Sequence, residues 1–279
     1  MDTARMGSES VRRCIFCDAT GLTKEHVLPK WLQKVVDNPG KLAIQSGVLG
    51  GRPEWIECNT SPLERQARVV CADCNNGWMS ALEAAAKPLL TGLITGTLGP
   101  AHEFTDDERD LLAFWVVKTA VTVQYVSPER TRTVSRRLRR RIFKDRRPPS
   151  GVVIWLGQCT PDMLLVRVEP SHLVHRGVLS EIGGNGRPLN AAFTFSLLVG
   201  GLFIHALLME GALDLEANPE ATHPKTTVIW PKGAVATWPP PAHLTDVEVF
   251  QLAGVVPQVF QETPFGPRPY FGPLEGLQD

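Results

Sequence analysis

The spacing of apolar residues predicts helices in the first half of the chain. From Asn75 onward the apolar residues recur at helical spacing, and Pro88 is expected to kink or end that helix. Thr105 and Glu108 stand three residues apart, in the pattern of a capping box, before a further helical repeat. We expect the helix that Thr105 starts to extend to about Tyr125.

Beyond Pro148-Pro149 the pattern changes to short β-branched or alternating apolar runs, separated by turns rich in Gly and Pro. Such runs predict strands of a mainly antiparallel sheet. The runs are Val152 to Leu156, Met163 to Val168, Ala192 to Val199, Leu202 to Met209, Thr226 to Trp230 and Val247 to Leu252. Residues 41–69 are interpreted as an insertion of strands and loop. The pattern therefore predicts an α+β fold with a helical middle segment and a mainly antiparallel β C-terminal half.

These patterns divide the chain into three expected segments. Residues 1–91 carry the cysteine motifs, residues 101–147 form a helical segment, and residues 148–279 form a β-rich domain with no motif that indicates a function. A chain of 279 residues is long enough to bury a substantial core.

Composition excludes few classes of protein. A hydrophobic content of 43% and a charged content of 21% are ordinary for a soluble globular chain. The most apolar stretch, Ala191 to Met209, is interrupted by polar residues and glycines, so we expect two buried strands and no membrane span. The first thirteen residues are polar and lack the apolar segment of a signal peptide. We therefore expect a cytoplasmic protein.

Positive charge is concentrated in one segment although the net charge is zero. Between Arg130 and Arg147 there are ten Arg or Lys residues and one acid, Asp145, and an apolar stripe at helical spacing lies beneath the arginines. A basic face on one helix is typical of phosphate binding, and a solvated face is the alternative. The candidates for holding a nucleic-acid backbone are Arg136, Arg137, Arg139, Arg140 and Arg141.

Two Cys-x-x-Cys pairs predict a metal site. The six cysteines are Cys14, Cys17, Cys58, Cys71, Cys74 and Cys159. Cys14 and Cys17 form one pair, and Cys71 and Cys74 form the other, which is the spacing that supplies four thiolates to a tetrahedral zinc ion. The alternative is four unrelated cysteines. The two remaining cysteines are expected to be buried free thiols.

A carboxylate and a histidine, Glu25 and His26, lie between the two cysteine pairs. If the pairs share one zinc ion, the segment between them folds back on the helix that begins at Cys74, in a treble-clef or ββα arrangement. His26 would then lie near the first turns of that helix, where an imidazole can act as general base beside a second, catalytic divalent ion. Taken alone, His26 is more readily interpreted as a packed or solvent-facing residue than as a catalyst. Trp31 and Trp78 are expected to pack around the zinc site.

The order of these motifs resembles the HNH endonucleases of the His-Me finger group. The resemblance is strongest to bacterial HNH-like proteins with the forms Glu-His-x-x-Pro-x-Trp-Leu and Cys-x-x-Cys-Asn-x-Gly-Trp-Met-Ser, and it covers residues 14 to about 90. It implies that the four paired cysteines hold a structural zinc ion and that His26 is the general base. It also implies that Glu25, in place of the usual Asp, is a ligand of a catalytic Mg²⁺ or Mn²⁺, and that the substrate is DNA or, less often, RNA.

The chain departs from the family pattern on the helix. The family usually places a His or Asn about five or six residues after the last Cys, where this chain has Met79 and Ser80. Asn76 and Glu83 are the candidates to complete the catalytic site, and Asn75 is as readily a helix-capping residue. We expect a metal-dependent nuclease. The alternatives are a treble-clef zinc module that binds nucleic acid or protein without cutting, and a zinc region that only staples a β-rich domain.

Overall fold

A computed structural model describes most of the chain. The described residues are 12–36, 43–46, 54–57, 62–126, 134–159, 165–171, 191–210, 223–245, 248–249, 252–253, 260–263 and 266–269. Among these residues, none of the helices has both the length and the apolar content that crossing a membrane requires.

The cysteine motifs lie in a small ββα unit, as the sequence predicts. Strand β1 (Leu22–His26) pairs antiparallel with β4 (Gln66–Cys71), and Leu22 lies opposite Cys71. Directly after β4 the chain enters a helical turn, α1 (Ala72–Cys74), and then a π-helical turn at Asn75–Met79. The backbone kinks at Gly77, whose φ of −89° and ψ of −112° are not helical, and helix α2 (Ser80–Thr95) follows this kink.

Helix α2 does not end at Pro88. It continues to Thr95 and stops at Gly96, whose φ of 69° gives the left-handed conformation that commonly closes helices. Leu90 and Leu93, in the turns after Pro88, are each 1% exposed. Their burial outweighs the roughly 3 kcal/mol that proline costs inside a helix.

Helix α3 (Asp106–Val123) is the centre of the molecule, and its predicted capping box is confirmed. Thr105 accepts a bond from the backbone N–H of Glu108 at 3.2 Å, and the Glu108 carboxylate accepts one from the Thr105 N–H at 2.8 Å. From Leu112 to Val123 every side chain is buried. The charged residues of a helix that is buried on all sides need partners on neighbouring elements, and here these residues are Arg109 and Lys118.

The C-terminal half is mainly antiparallel sheet, as predicted. The other strands are β2 (Ala43–Ser46), β3 (Glu54–Glu57), β5 (His102–Glu103), β6 (Val152–Gln158), β7 (Leu165–Ser171), β8 (Ala191–Val199), β9 (Leu202–Glu210), β10 (Thr226–Trp230), β11 (Thr237–Trp238), β12 (Phe260–Thr263) and β13 (Gly266–Pro269). Seven of them form one sheet in the order β10-β6-β9-β8-β7-β2-β3, in which only the pair β2 and β7 is parallel. The remaining short strands pair as β5 with β11 and β12 with β13.

The expected three segments share structure. Strands β2 and β3 leave the N-terminal region and extend the edge of the C-terminal sheet, and β5 pairs with β11. One apolar core includes Phe16 of the first cysteine pair, Trp115 of α3 and Ile204 of β9. The boundaries at residues 91 and 147 remain predictions.

One predicted strand is wrong. In the run Val247 to Leu252, the described residues 248, 249 and 252 are helical. Thr245 and Glu248 form a capping box, with the Thr245 N–H donating to the Glu248 carboxylate at 2.7 Å and the Glu248 N–H donating to the Thr245 hydroxyl at 3.3 Å. This local pair of bonds starts a helical turn and overrides the β-branched pattern.

Helix α4 (Arg136–Asp145) forms within the basic segment, with Ser135 as its N-cap and Leu138 and Ile142 buried beneath the arginines. The part of that prediction that concerns residues 127–133 lies outside the described residues. The predicted helix and its apolar stripe are therefore confirmed from Arg136 onward.

We expect Arg109→Met to lower the free energy of unfolding by about 3 kcal/mol, because the buried guanidinium makes charge-assisted bonds that Met cannot replace. Arg109 is 5% exposed and donates to the carbonyls of Ile229, Ala234 and Pro231 at 3.0, 3.0 and 3.2 Å. Urea denaturation measures the change, with the exposed Arg137→Met as control. Equal midpoints for both variants would contradict the expectation.

Candidate metal centre and adjoining polar cluster

The four paired cysteines converge on one point. Their sulfur atoms all lie within 4.8 Å of one another, and the Cys17 and Cys71 sulfurs are 3.4 Å apart. All four thiols are free rather than joined in disulfides. Tetrahedral zinc with Zn–S distances near 2.3 Å needs sulfurs about 3.8 Å apart. These cysteines could therefore hold a metal ion such as zinc.

Local backbone structure shapes the first cysteine pair into a tight turn. The Cys14 N–H donates to the Ala19 carbonyl at 2.8 Å, and the Asp18 N–H donates to the Cys14 carbonyl at 3.0 Å. Asp18 has a φ of 62°, in the left-handed region that Asp tolerates better than most residues. A bond of 2.9 Å from the Ile15 N–H to the Val69 carbonyl joins the turn to β4, which carries Cys71 at its end.

The electrostatic environment of these thiols is mixed. Burial opposes the ionisation of Cys14, but backbone N–H groups of Cys17, Cys71 and Phe16 outweigh it and lower the pKa of that thiol. Burial raises the pKa of Cys74 and of Cys17. A divalent cation bound here would supply the positive charge that the four thiolates, three of them on buried cysteines, need.

The basic helix α4 packs against the first cysteine turn. Arg139 Nε donates to the Ile15 carbonyl at 3.1 Å, and Arg140 donates to the Phe16 carbonyl at 3.5 Å. Asp18 forms ion pairs with Arg136 and, at 3.4 Å, with Arg140. The Arg136 guanidinium lowers the pKa of the Asp18 carboxyl. Three of the five arginines predicted to bind nucleic acid thus contact the cysteine turn.

The other two arginines face outward. Arg137 is exposed, and the structure records no ion pair for it within the described residues. Arg141 is exposed and lies 3.4 Å from Asp145, one helical turn away. Binding of nucleic acid by this helix stays a prediction.

Arg146, just after α4, stacks on two aromatic rings. Its guanidinium carbon lies 4.3 Å from the centre of the Trp78 ring and 4.2 Å from that of Phe143. Trp78 itself contacts Phe16 edge-to-face at 5.2 Å and stacks on Phe114 at 5.7 Å. Trp78 therefore packs beside the cysteine cluster, as the sequence predicts.

The electrostatic surroundings of Arg146 connect it with the cysteines. Burial lowers the pKa of Arg146, and the negative charges of Cys74 and Cys17 act in the opposite direction. Cys159, the fifth described cysteine, lies elsewhere, where it is buried and outside any disulfide, as expected, and its thiol donates to the Gly201 carbonyl at 3.8 Å. Cys58 lies outside the described residues.

A second cluster of polar residues surrounds Glu25. Glu25 is 6% exposed on β1, and its carboxylate lies 4.0 Å from the ammonium group of Lys118. The Lys118 ammonium has no exposure and donates to the Glu83 carboxylate at 2.7 Å. Helix α3 therefore places one buried cation between a strand carboxylate and a helix carboxylate.

Burial raises the pKa of Glu25 to about 7. The charge of Lys118 acts to lower this pKa, and that of Glu83 acts to raise it. One lysine is shared by two carboxylates, so it compensates only part of their combined charge.

The sequence analysis missed Lys118. One signal was available in the sequence, because Lys118 lies within the mostly apolar segment Ala113 to Val121. Such a segment predicts burial, and a lysine is almost never fully buried unless it is paired. Its partners came from distant parts of the chain, and only the fold brings them together.

His26 lies beside this cluster and is partly exposed. Burial lowers the pKa of its imidazole, and the charge of Lys30 acts in the same direction while that of Glu83 opposes it. The Gln66 side-chain nitrogen is 2.7 Å from His26 Nε2. With that amide as donor, Nε2 accepts, and the imidazole is neutral at neutral pH.

The two asparagines of the second cysteine pair differ in position. The Asn75 amide donates to the Thr23 hydroxyl at 3.1 Å and to the Lys24 carbonyl at 3.2 Å, so it ties β1 to the start of the helix. Asn76 is exposed, and within the described part of the chain no hydrogen bond joins it to Glu25 or His26. Of the predicted catalytic residues, Glu25 and Glu83 share the ammonium group of Lys118, and the charge of Glu83 acts on His26.

Comparison of the chain with models of known protein families, with curated proteins and with solved structures found no match. The resemblance to HNH endonucleases therefore rests on the motif residues alone. The geometry of the two clusters has to carry any further argument about function.

The stability of the protein should depend on pH through Glu25. Its pKa rises from an ordinary 4.5 to about 7 on folding, so the folded protein binds more protons than the unfolded chain within this window. The free energy of unfolding should therefore fall as pH rises from about 4.5 to about 7, by an amount on the order of 3 kcal/mol. Glu25 contributes this full amount to the free energy of unfolding below about pH 4.5 and none of it above about pH 7.

Glu25→Gln keeps the side chain neutral at every pH and should remove this part of the dependence. Urea denaturation of the wild type and of Glu25→Gln across the window measures the difference between them, with the exposed Glu103→Gln as matched control. A difference that does not change with pH would contradict the expected role of Glu25.

Proposed function

We propose that this protein is a metal-dependent, HNH-like nuclease, with DNA the more favoured substrate over RNA. The observation that carries the proposal is the pair of carboxylates on Lys118: Glu25 lies 4.0 Å and Glu83 2.7 Å from its ammonium group, and the charge of Glu83 acts on the His26 imidazole. Strand β1 supplies Glu25 and His26, and helix α2 supplies Glu83. A part-exposed neutral imidazole beside two carboxylates is the set of groups that hydrolysis of a phosphodiester needs.

In this proposal His26 is the general base. A neutral imidazole takes the proton of the attacking water while the bond from phosphorus to the leaving oxygen breaks. With the Gln66 amide as donor at 2.7 Å, Nε2 carries the only in-plane lone pair of the ring, so the attacking water has to replace that amide to deliver its proton there. The lowered pKa of His26 keeps it unprotonated, and therefore basic, at neutral pH.

The carboxylates of Glu25 and Glu83 fit a divalent cation. Glu83 contacts Lys118 through Oε1 and is 23% exposed, and Glu25 and Glu83 together carry more negative charge than Lys118 offsets. Hard oxygen ligands of this kind suit Mg²⁺ or Mn²⁺. When bound, such an ion stabilises charge on the phosphoryl group and on the leaving oxygen.

The outer face of α4 is the proposed contact for the nucleic-acid backbone. Arg137 and Arg141 are exposed there, whereas Arg139 bonds to the carbonyl of Ile15. Contacts to phosphates would give binding that weakens steeply with salt and depends little on sequence.

We also propose that the four-cysteine centre holds zinc and that this ion supplies part of the folding energy. Metal analysis of the purified protein should find one zinc per chain. Cys71→Ser should lose the metal and lower the melting temperature, because one of four ligands is removed. Cys159→Ser, which changes a buried thiol outside the cluster, should retain the metal. Zinc-free folded wild type would contradict this part of the proposal.

His26→Ala should reduce cleavage of plasmid DNA by at least about 100-fold, the contribution typical of a general base. Nicking in the presence of Mg²⁺ or Mn²⁺ measures it, and metal analysis should show that zinc is retained. The exposed His243→Ala is the matched control and should cleave as the wild type does. Equal cleavage by His26→Ala and the wild type would remove His26 from the mechanism.

A zinc module that binds without cutting is the second candidate. The observation that favours it is the bond of 2.7 Å between Lys118 and Glu83, because a buried cation already neutralises part of the carboxylate pair. Under this alternative the wild type binds DNA but nicks it with neither metal ion. The cleavage assay on the wild type therefore separates the two candidates before any variant is made.

A further inference from the structure

The proposed zinc centre has a charge that its surroundings must balance. Four thiolates around a divalent ion leave two excess negative charges, and three of the four cysteines are buried. Excess charge in a partly buried site is costly unless cations or N–H donors lie nearby. Arginines of helix α4 contact the first cysteine turn.

Most of these arginines are engaged with other groups. Arg136 and Arg140 pair with Asp18, which already offers them a full negative charge. Arg139 bonds to the Ile15 carbonyl and lies over the ring of Tyr125 at 5.7 Å. They hold the first cysteine turn in place rather than offset the charge of the sulfurs.

Arg146 differs from these three. Its guanidinium is held on the Trp78 and Phe143 rings, and the negative charges that act on it are those of Cys74 and Cys17. One of these cysteines comes from each pair. A cation in this position attracts both halves of the site at once.

The backbone at Arg146 adds a second observation. Arg146 closes α4 with a φ of 51°, in the left-handed conformation for which Gly or Asn is the usual residue. An arginine in this conformation costs backbone strain, which the contacts of its side chain with the two aromatic rings can offset. Its side chain reaches back over Trp78, four residues beyond Cys74 in the sequence.

Trp78 links Arg146 with the cluster. Its indole nitrogen is buried and meets no partner at hydrogen-bond geometry within the described residues. The same indole N–H nevertheless lies near enough to the Cys74 sulfur to act against the burial that raises the pKa of that thiol. One face of the ring thus supports a cation, and its indole N–H acts on the thiol of a candidate metal ligand.

We propose that Arg146, positioned by Trp78 and Phe143, supplies counter-charge to the four-thiolate centre and thereby raises its affinity for zinc. The inference rests on the proposed zinc centre and is independent of any nuclease activity. It assigns part of the basic segment to metal binding within this chain.

The test compares zinc affinities in competition with a chromophoric chelator for the wild type, Arg146→Gln, Arg146→Lys and Arg147→Gln. Partners of metal ligands typically contribute 10- to 100-fold in affinity, so Arg146→Gln should bind about 10-fold more weakly. Arg146→Lys keeps the charge and should recover most of the affinity. Arg147, the exposed neighbour, is the matched control and should leave it unchanged.

Cobalt substitution adds a readout that a purely structural role would not move. Loss of a nearby positive charge makes the thiolates better electron donors, so the sulfur-to-cobalt charge-transfer band of Arg146→Gln should shift to longer wavelength. The band of Arg146→Lys should remain near that of the wild type.

Two results would overturn the inference while the zinc centre stands. One is unchanged affinity in Arg146→Gln, and the other is an equal loss in Arg146→Lys, which would show that shape rather than charge matters. Failure of the wild type to bind zinc would instead overturn the zinc centre itself. If Arg146→Gln does not fold, Arg146→Lys tests the inference instead. A large change from the wild type in both its zinc affinity and its charge-transfer band would contradict a role based on charge.

Discussion

The ammonium group of Lys118 lies in the core with no exposure to water, and a buried cation of this kind persists only where anions meet it. Glu83 meets it at 2.7 Å and Glu25 at 4.0 Å. Because Glu25 is on β1 and Glu83 is on α2, this requirement joins the ββα unit to the central helix α3. The same contact sets the surroundings of His26, since the charge of Glu83 acts on its imidazole.

The cysteine cluster depends on a second set of contacts, made by α4. The guanidinium groups of Arg139 and Arg140 bind the backbone of the first cysteine turn, and Asp18 pairs with Arg136. A segment that looks in the sequence like a surface for nucleic acid thus uses part of its charge to bind the first cysteine turn. Its outer face, with Arg137 and Arg141, retains the positive charge that the proposed substrate requires.

Both clusters rest on one shared core rather than on an isolated module. Strands β2 and β3, which lie between the cysteine pairs in the sequence, extend the sheet of the C-terminal half. Arg109 of α3 bonds to carbonyls around β10, so the central helix is fixed from the sheet side as well. This arrangement gives the β-rich half a supporting role in positioning α3, and hence Lys118.

The sequence by itself determined the features that depend on short-range order. The capping box of Thr105 and the two cysteine pairs follow from neighbouring residues, and periodicity predicted most of the sheet. It was wrong for residues 248, 249 and 252, because the β-branched run concealed a capping pair that starts with Thr245. Local spacing carries such information because the partners are a few residues apart.

Only the tertiary structure decided which charges meet. Lys118 is 93 positions from Glu25, and Arg146 is still farther from Cys17. No periodic pattern encodes such pairings, because they arise when packing removes water from side chains that are remote in sequence. Burial raises the pKa of Glu25, and the packing of the helices determines which groups each arginine contacts. The proposed chemistry depends on both properties.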